Sequence, residues 1–141
     1  RLGYESRAVT AGDVWLFDTS TGVLASGDLV TLPAPLFDTA CAQHWKTALG
    51  DLANADFSVL VPGHGAPMHR AEFATYRRAF DDLLECASGK SDKQACIDGW
   101  MRDAATLIPA SDDKLARTLL DYYVDGSLRA PAAQQTKLCG A

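Results

Sequence analysis

Two residues with metal-ligand side chains each lie just beyond the end of a short predicted strand. Asp28 comes after residues 23–27, and His64 comes after residues 57–61 between two glycines. Carboxylate and imidazole groups are a common pair of zinc ligands, and ligands collect where the strands of an open α/β sheet end. These two residues therefore form a candidate metal site. A small α/β domain in which both are ordinary turn residues is the alternative interpretation.

The other histidines are weaker candidates for ligands. His44 falls within a predicted helix, and His69 lies just beyond the turn that carries His64. The chain contains no His-x-His pair. We therefore interpret His44 and His69 as surface or helix-terminal residues.

The elements that must position Asp28 and His64 follow from periodicity and turn residues. Alternating and β-branched stretches predict strands at residues 4–9, 13–18, 23–27 and 57–61, the middle two forming a hairpin. Two prolines make residues 31–37 a loop. Helical spacing predicts helices at residues 39–53 and 70–87, a third opened by Ser91 in a capping box, and a fourth from Ser111 to Gly126.

The fourth predicted helix has an apolar face made of Leu115, Leu119 and Tyr122. After it, residues 130–141 are small and polar, and we expect them to be extended over the surface. Strands in the first half followed by helices predict an α/β (α+β) fold. So few strands do not make a two-faced sheet, which favours one partial domain over residues 1–141.

Composition limits the possible partners. The chain has 141 residues, a net charge of −5 and no cluster of lysine and arginine, so nucleic acids and anionic membranes are unsuitable partners. It has no signal peptide and begins at Arg1, which favours a processed or truncated chain.

Four cysteines occur without any Cys-x-x-Cys spacing, which argues against a zinc finger. Cys86 and Cys96 flank a polar linker between two predicted helices, and a disulfide there would hold those helices together. Cys41 and Cys139 could then clasp the C-terminal tail, although three pairings are formally possible. Disulfides favour a periplasmic or secreted protein, whereas four reduced, buried cysteines would suit the cytosol.

Several motifs resemble, in order, the C-terminal half of a metallo-β-lactamase-fold metallohydrolase. They are Thr10-Ala-Gly-Asp-Val-Trp-Leu-Phe-Asp, then Gly22-Val-Leu-Ala-Ser-Gly-Asp-Leu-Val, a helix with Trp45, and Leu60-Val-Pro-Gly-His-Gly. The resemblance covers residues 9–70. It implies half of an αββα sandwich whose missing N-terminal half completes the sheet, and one or two zinc ions in the complete protein.

In that family Asp28 matches the aspartate that bridges two metals, and His64 matches the last histidine ligand of the second metal. The resemblance thus implies a hydrolase that acts on a small-molecule substrate and uses a metal-bound water as its nucleophile. The family's His-x-His-x-Asp-His motif would precede Arg1. Val9 occupies a position where the family usually has a histidine ligand, which favours a single tightly bound zinc. A non-catalytic relative that serves as a binding or structural module is the alternative.

Overall fold

The computed structural model describes residues 1–140 of the chain. Five strands within these residues form one mixed sheet in the order β1-β2-β3-β4-β5. The strands are β1 (Leu2–Ser6), β2 (Gly12–Asp18), β3 (Val23–Thr31), β4 (Val59–His64) and β5 (Met68–His69). Strands β3 and β4 are parallel, and the other neighbouring pairs are antiparallel.

Most of the strands lie in the first half of the chain and four of the five helices follow the last strand, which confirms the predicted α+β class. They are α1 (Ala42–Asn54), α2 (Arg70–Ser88), α3 (Lys93–Asp103), α4 (Asp113–Tyr123) and α5 (Ala132–Cys139), and a π-helix (Val124–Leu128) continues α4. Because α1 connects the parallel strands β3 and β4, these three elements form a βαβ unit. No helix among residues 1–140 is long and apolar enough to cross a membrane.

The two faces of the sheet have different environments. Side chains alternate along β2, so that Trp15 and Phe17 are buried while Val14 and Leu16 are exposed. The buried face belongs to the same hydrophobic core as α1 to α4, in which Trp45 and Phe80 pack with ring centroids 5.1 Å apart. The helices therefore cover one face only, and the opposite face is open.

Helix α4 presents a different face to the core from the one predicted. Leu115 is 50% exposed and Tyr122 is 64% exposed, whereas Ala116, Leu120 and Tyr123 are buried. The predicted face is thus wrong by one residue. Two positions that differ by one lie about 100° apart on a helix, and Tyr123 is fixed inward by a hydrogen bond from its hydroxyl to Asp38. Gly126 does not end the helix either, because the π-helix runs through it.

Two further local predictions are wrong. The third helix is capped by Asp92, whose Oδ1 accepts a 2.8 Å hydrogen bond from Ala95 N, and not by Ser91. The predicted extended tail contains α5, which has helix-forming alanine, glutamine, lysine and leucine after Pro131 and ends at Gly140 in the left-handed conformation. Ala141, the last residue of that predicted tail, lies outside the described residues.

Both predicted disulfides are present, and they join Cys86 to Cys96 and Cys41 to Cys139. The first links the end of α2 to α3, with Cα atoms 5.6 Å apart. The second ties α5 to the residue that precedes α1, with Cα atoms 4.9 Å apart. Because α5 contains no buried residue, the Cys41–Cys139 bond and hydrogen bonds from Gln134 and Gln135 to residues 126–130 attach it to the domain.

Candidate functional site

Asp28 and His64 meet at the end of the parallel pair β3 and β4. His64 Nε2 lies 3.6 Å from Asp28 Oδ1, and the two side chains are 61% and 50% exposed. Two ligands of one metal ion, each bonded at about 2 Å, lie roughly 3–5 Å apart. The predicted approach of these two side chains is therefore confirmed, and both remain accessible to solvent.

An irregularity in β3 places Asp28 at this position. Gly27 pairs with Pro62 and Thr31 pairs with His64, so that three residues of β3 lie opposite one residue of β4. Gly27 has a φ of 54°, which glycine adopts without steric cost. The strand was expected to end before Asp28, but it continues past it as a bulge. Bulges of this kind redirect side chains next to functional sites.

The glycine before His64 provides the space for the aspartate. A Cβ atom at Gly63 would overlap Asp28 Oδ1 and would lie 2.8 Å from both the carbonyl carbon and oxygen of Gly27. Any side chain at this position would therefore push β3 and β4 apart. The absence of a side chain at Gly63 is what allows Asp28 to lie against His64.

Buried aromatic residues hold the chain just after Asp28. Trp45 Nε1 donates a 2.8 Å hydrogen bond to the carbonyl oxygen of Leu29, and Thr31 N donates a 3.3 Å bond to the hydroxyl of Tyr76. Complete burial raises the pKa of Tyr76, and this effect outweighs the opposing hydrogen bond from Thr31. Tyr76 is therefore a neutral acceptor at physiological pH. The sequence does not reveal these bonds, because helical spacing does not show what a ring nitrogen or hydroxyl bonds.

The segment around Val9 does not supply a third ligand. Val9 is 5% exposed and belongs to the core. The nearby carboxylate of Asp13 accepts hydrogen bonds from Val9 N at 2.9 Å and from Thr10 N at 3.1 Å. Asp13 therefore stabilises its own turn.

The remaining histidines lie where the sequence predicted. His44 is exposed on α1. His69 is the N-cap residue of α2, and its backbone N donates a 2.9 Å hydrogen bond to Glu72 while its Nδ1 lies 3.3 Å from the carbonyl oxygen of Ser58. Their interpretation as surface and helix-terminal residues is confirmed.

Within residues 1–140, no group of three or more His, Cys, Asp or Glu side chains is arranged to hold a metal ion. The structure thus brings together two candidate ligands, and a catalytic zinc site needs a third. No protein-family model matches the chain, and no curated protein is significantly similar to it.

Proposed function

We propose that this chain is the C-terminal half of a zinc-dependent hydrolase of the metallo-β-lactamase-like superfamily, in which Asp28 and His64 bind the metal. One observation carries the proposal, which is the 3.6 Å approach of Asp28 Oδ1 to His64 Nε2 at the end of two adjacent parallel strands. The order of motifs around these residues supports the same family.

The chemistry of the pair fits zinc. The ion accepts oxygen and nitrogen ligands at about 2.0–2.2 Å, and the two side-chain atoms are close enough to share one ion. When bound, zinc supplies a water of lowered pKa as the nucleophile and polarises the bond to be hydrolysed. Asp28 would contribute a negative charge and His64 a neutral donor, while their exposure leaves room for a small-molecule substrate.

The open face of the sheet supports the requirement for an N-terminal half. Five of the large apolar side chains that are exposed among residues 1–140 lie on β1, β2 and β4, and they are Leu2, Tyr4, Val14, Leu16 and Val61. Strand pairing places Leu2 beside Leu16, and Ala25 connects Leu16 to Val61. Such a contiguous apolar surface usually binds another protein surface. In an αββα sandwich the second sheet, which carries the remaining ligands, would cover it.

The two disulfides fit the same proposal, because bonds of this kind persist in oxidising compartments. The disulfides thus support the part of the proposal that locates the complete protein in the periplasm or outside the cell.

A non-catalytic relative that binds a partner through the open face is a second candidate. The buried Val9 favours it, since a histidine ligand expected in the family is absent there and Asp13 does not replace it. Metal analysis separates the two candidates, because a binding module needs no tightly held ion.

The test is elemental analysis of the full-length protein after dialysis against a weak chelator, together with assays on lactam, thioester and phosphodiester substrates. We expect about one zinc per protein, lost together with hydrolysis in His64→Ala and retained in the control His44→Ala. Two tightly bound ions would contradict the single-metal site. No metal and no hydrolysis would refute the enzyme and favour the binding module.

A further inference from the structure

The segment that follows Asp28 is bonded to every helix from α1 to α4. Each helix contributes the polar atom of one aromatic side chain. The pairs are Trp45 Nε1 with Leu29 O at 2.8 Å, Tyr76 Oη with Thr31 N at 3.3 Å, Trp100 Nε1 with Pro33 O at 2.9 Å, and Tyr123 Oη with Asp38 Oδ2 at 2.7 Å. Residues 29–38 are therefore fixed from the core side at four points.

Only the first two of these bonds act at the bulge itself. Leu29 and Thr31 are 0% and 1% exposed, so their backbone groups have no access to water as an alternative partner. A buried donor or acceptor that loses its partner is costly, and the backbone rearranges to avoid it. Trp45 and Tyr76 thus favour the one backbone path in which the side chain between Gly27 and Leu29 is directed outward.

The same backbone also connects to the histidine. Thr31 pairs with His64 in the sheet, and the next residue, Leu32, donates a 3.0 Å hydrogen bond from its N to His64 O. A shift of Thr31 therefore moves both residues of the candidate site. Asp28 lies in the bulge that ends at Thr31, and His64 pairs with Thr31 on the adjacent strand.

We propose that Tyr76 and Trp45 are positioning residues that hold Asp28 against His64 through the backbone of the bulge. The inference that this arrangement serves metal binding rests on the proposed function, whereas the positioning itself rests on the hydrogen bonds alone. Neither aromatic side chain is assigned a contact with metal or substrate.

The test is the substitution Tyr76→Phe in the full-length protein, with Tyr123→Phe as a matched control. Each change removes one hydrogen-bonded hydroxyl from a buried ring and keeps the ring, but Tyr123 bonds Asp38, well beyond the bulge. Zinc titration should show affinity reduced about 10–100-fold in Tyr76→Phe, the usual effect of removing a group that orients a ligand. Tyr123→Phe should bind zinc as the wild type does. Equal losses in both variants, or no loss in Tyr76→Phe, would overturn the proposal.

A second readout does not depend on metal. The side-chain NMR resonances of His64, recorded at one pH without zinc, should shift in Tyr76→Phe and stay unchanged in Tyr123→Phe. If the wild type binds no zinc, the proposed function fails, but the His64 resonances still test whether Tyr76 positions the Asp28–His64 pair. Unchanged His64 resonances in Tyr76→Phe would refute the positioning role of Tyr76.

If Tyr76→Phe does not fold, two tryptophan variants provide the same comparison. Trp45→Phe removes the bond to Leu29 at the bulge, and Trp100→Phe removes the bond to Pro33 beyond it. The first should change the His64 resonances and the second should leave them unchanged. The reverse order would overturn the proposal.

Discussion

A single methyl group at Gly63 should disrupt the Asp28–His64 pair. In Gly63→Ala, the new Cβ would overlap Asp28 Oδ1 and lie 2.8 Å from two backbone atoms of Gly27. Those atoms belong to the main chain of the adjacent strand, so no flexible side-chain end can move away. Strands β3 and β4 must separate by about 0.6 Å to restore an ordinary contact near 3.4 Å.

The size of the effect follows from this geometry. Inserting a methyl group into a well-packed region typically destabilises by about 1–3 kcal/mol. For a domain of this size we expect the melting temperature to fall by about 4–12 °C. The separation of Asp28 from His64 should also weaken zinc binding, because the two ligands would no longer share one ion in good geometry.

Urea unfolding followed by tryptophan fluorescence is a suitable assay, since Trp15, Trp45 and Trp100 are all buried. Gly126→Ala is the matched control, because a Cβ there meets nothing within 4 Å. It should leave stability unchanged or raise it slightly, since alanine suits helical backbone better than glycine. A Gly63→Ala protein as stable as the wild type, with unchanged zinc affinity, would show that the described contact between Gly63 and Asp28 is incorrect.

Three other predictions follow from different parts of the molecule. Cys139→Ser should release α5, which has no buried residue, and limited proteolysis should then remove it without unfolding the core; resistance equal to that of the wild type would contradict this. Leu16→Lys on the open face should reduce self-association of the isolated chain, measured by sedimentation, and its binding of a fluorescent dye that recognises apolar surfaces. A wild type that is already monomeric and binds no dye would contradict the proposal that this face is an uncovered interface. Partial burial, and to a lesser degree the charge of Asp51, raises the pKa of Glu5 above its ordinary value in the folded state. The folded state therefore loses stability as pH rises through the unfolded and then the folded pKa of Glu5, and Glu5→Gln should be more stable than the wild type at pH 7 but not at pH 3, as measured by urea unfolding.

The local sequence was sufficient to locate four of the five strands approximately, to place Asp28 and His64 near the ends of two of them, and to favour the two cysteine pairs that the structure contains. Short apolar runs ended by glycine and proline specify strand ends through local chain geometry, which depends on few neighbours. The parallel arrangement of β3 and β4 follows from the helix between them. This topology brings Asp28 and His64 to the same edge of the sheet, but it does not by itself bring their side chains together.

The inward face of α4 could not be obtained in the same way. Leu115, Leu119 and Tyr122 have helical spacing, as do Ala116, Leu120 and Tyr123, so periodicity permits either set in the core. The choice depends on the partner of the Tyr123 hydroxyl, which is Asp38 in a distant loop. Long-range hydrogen bonds of this kind leave no local signal in the sequence.

The sequence by itself determined which side chains are available for metal chemistry and which two strands they adjoin. Only the tertiary structure decided that Asp28 is directed toward His64, because that direction depends on a bulge held by Trp45 and Tyr76 and on the absence of a side chain at Gly63. Residue types and spacing are local properties, whereas the path of a bulge is selected by buried hydrogen bonds from helices that fold against it later in the chain.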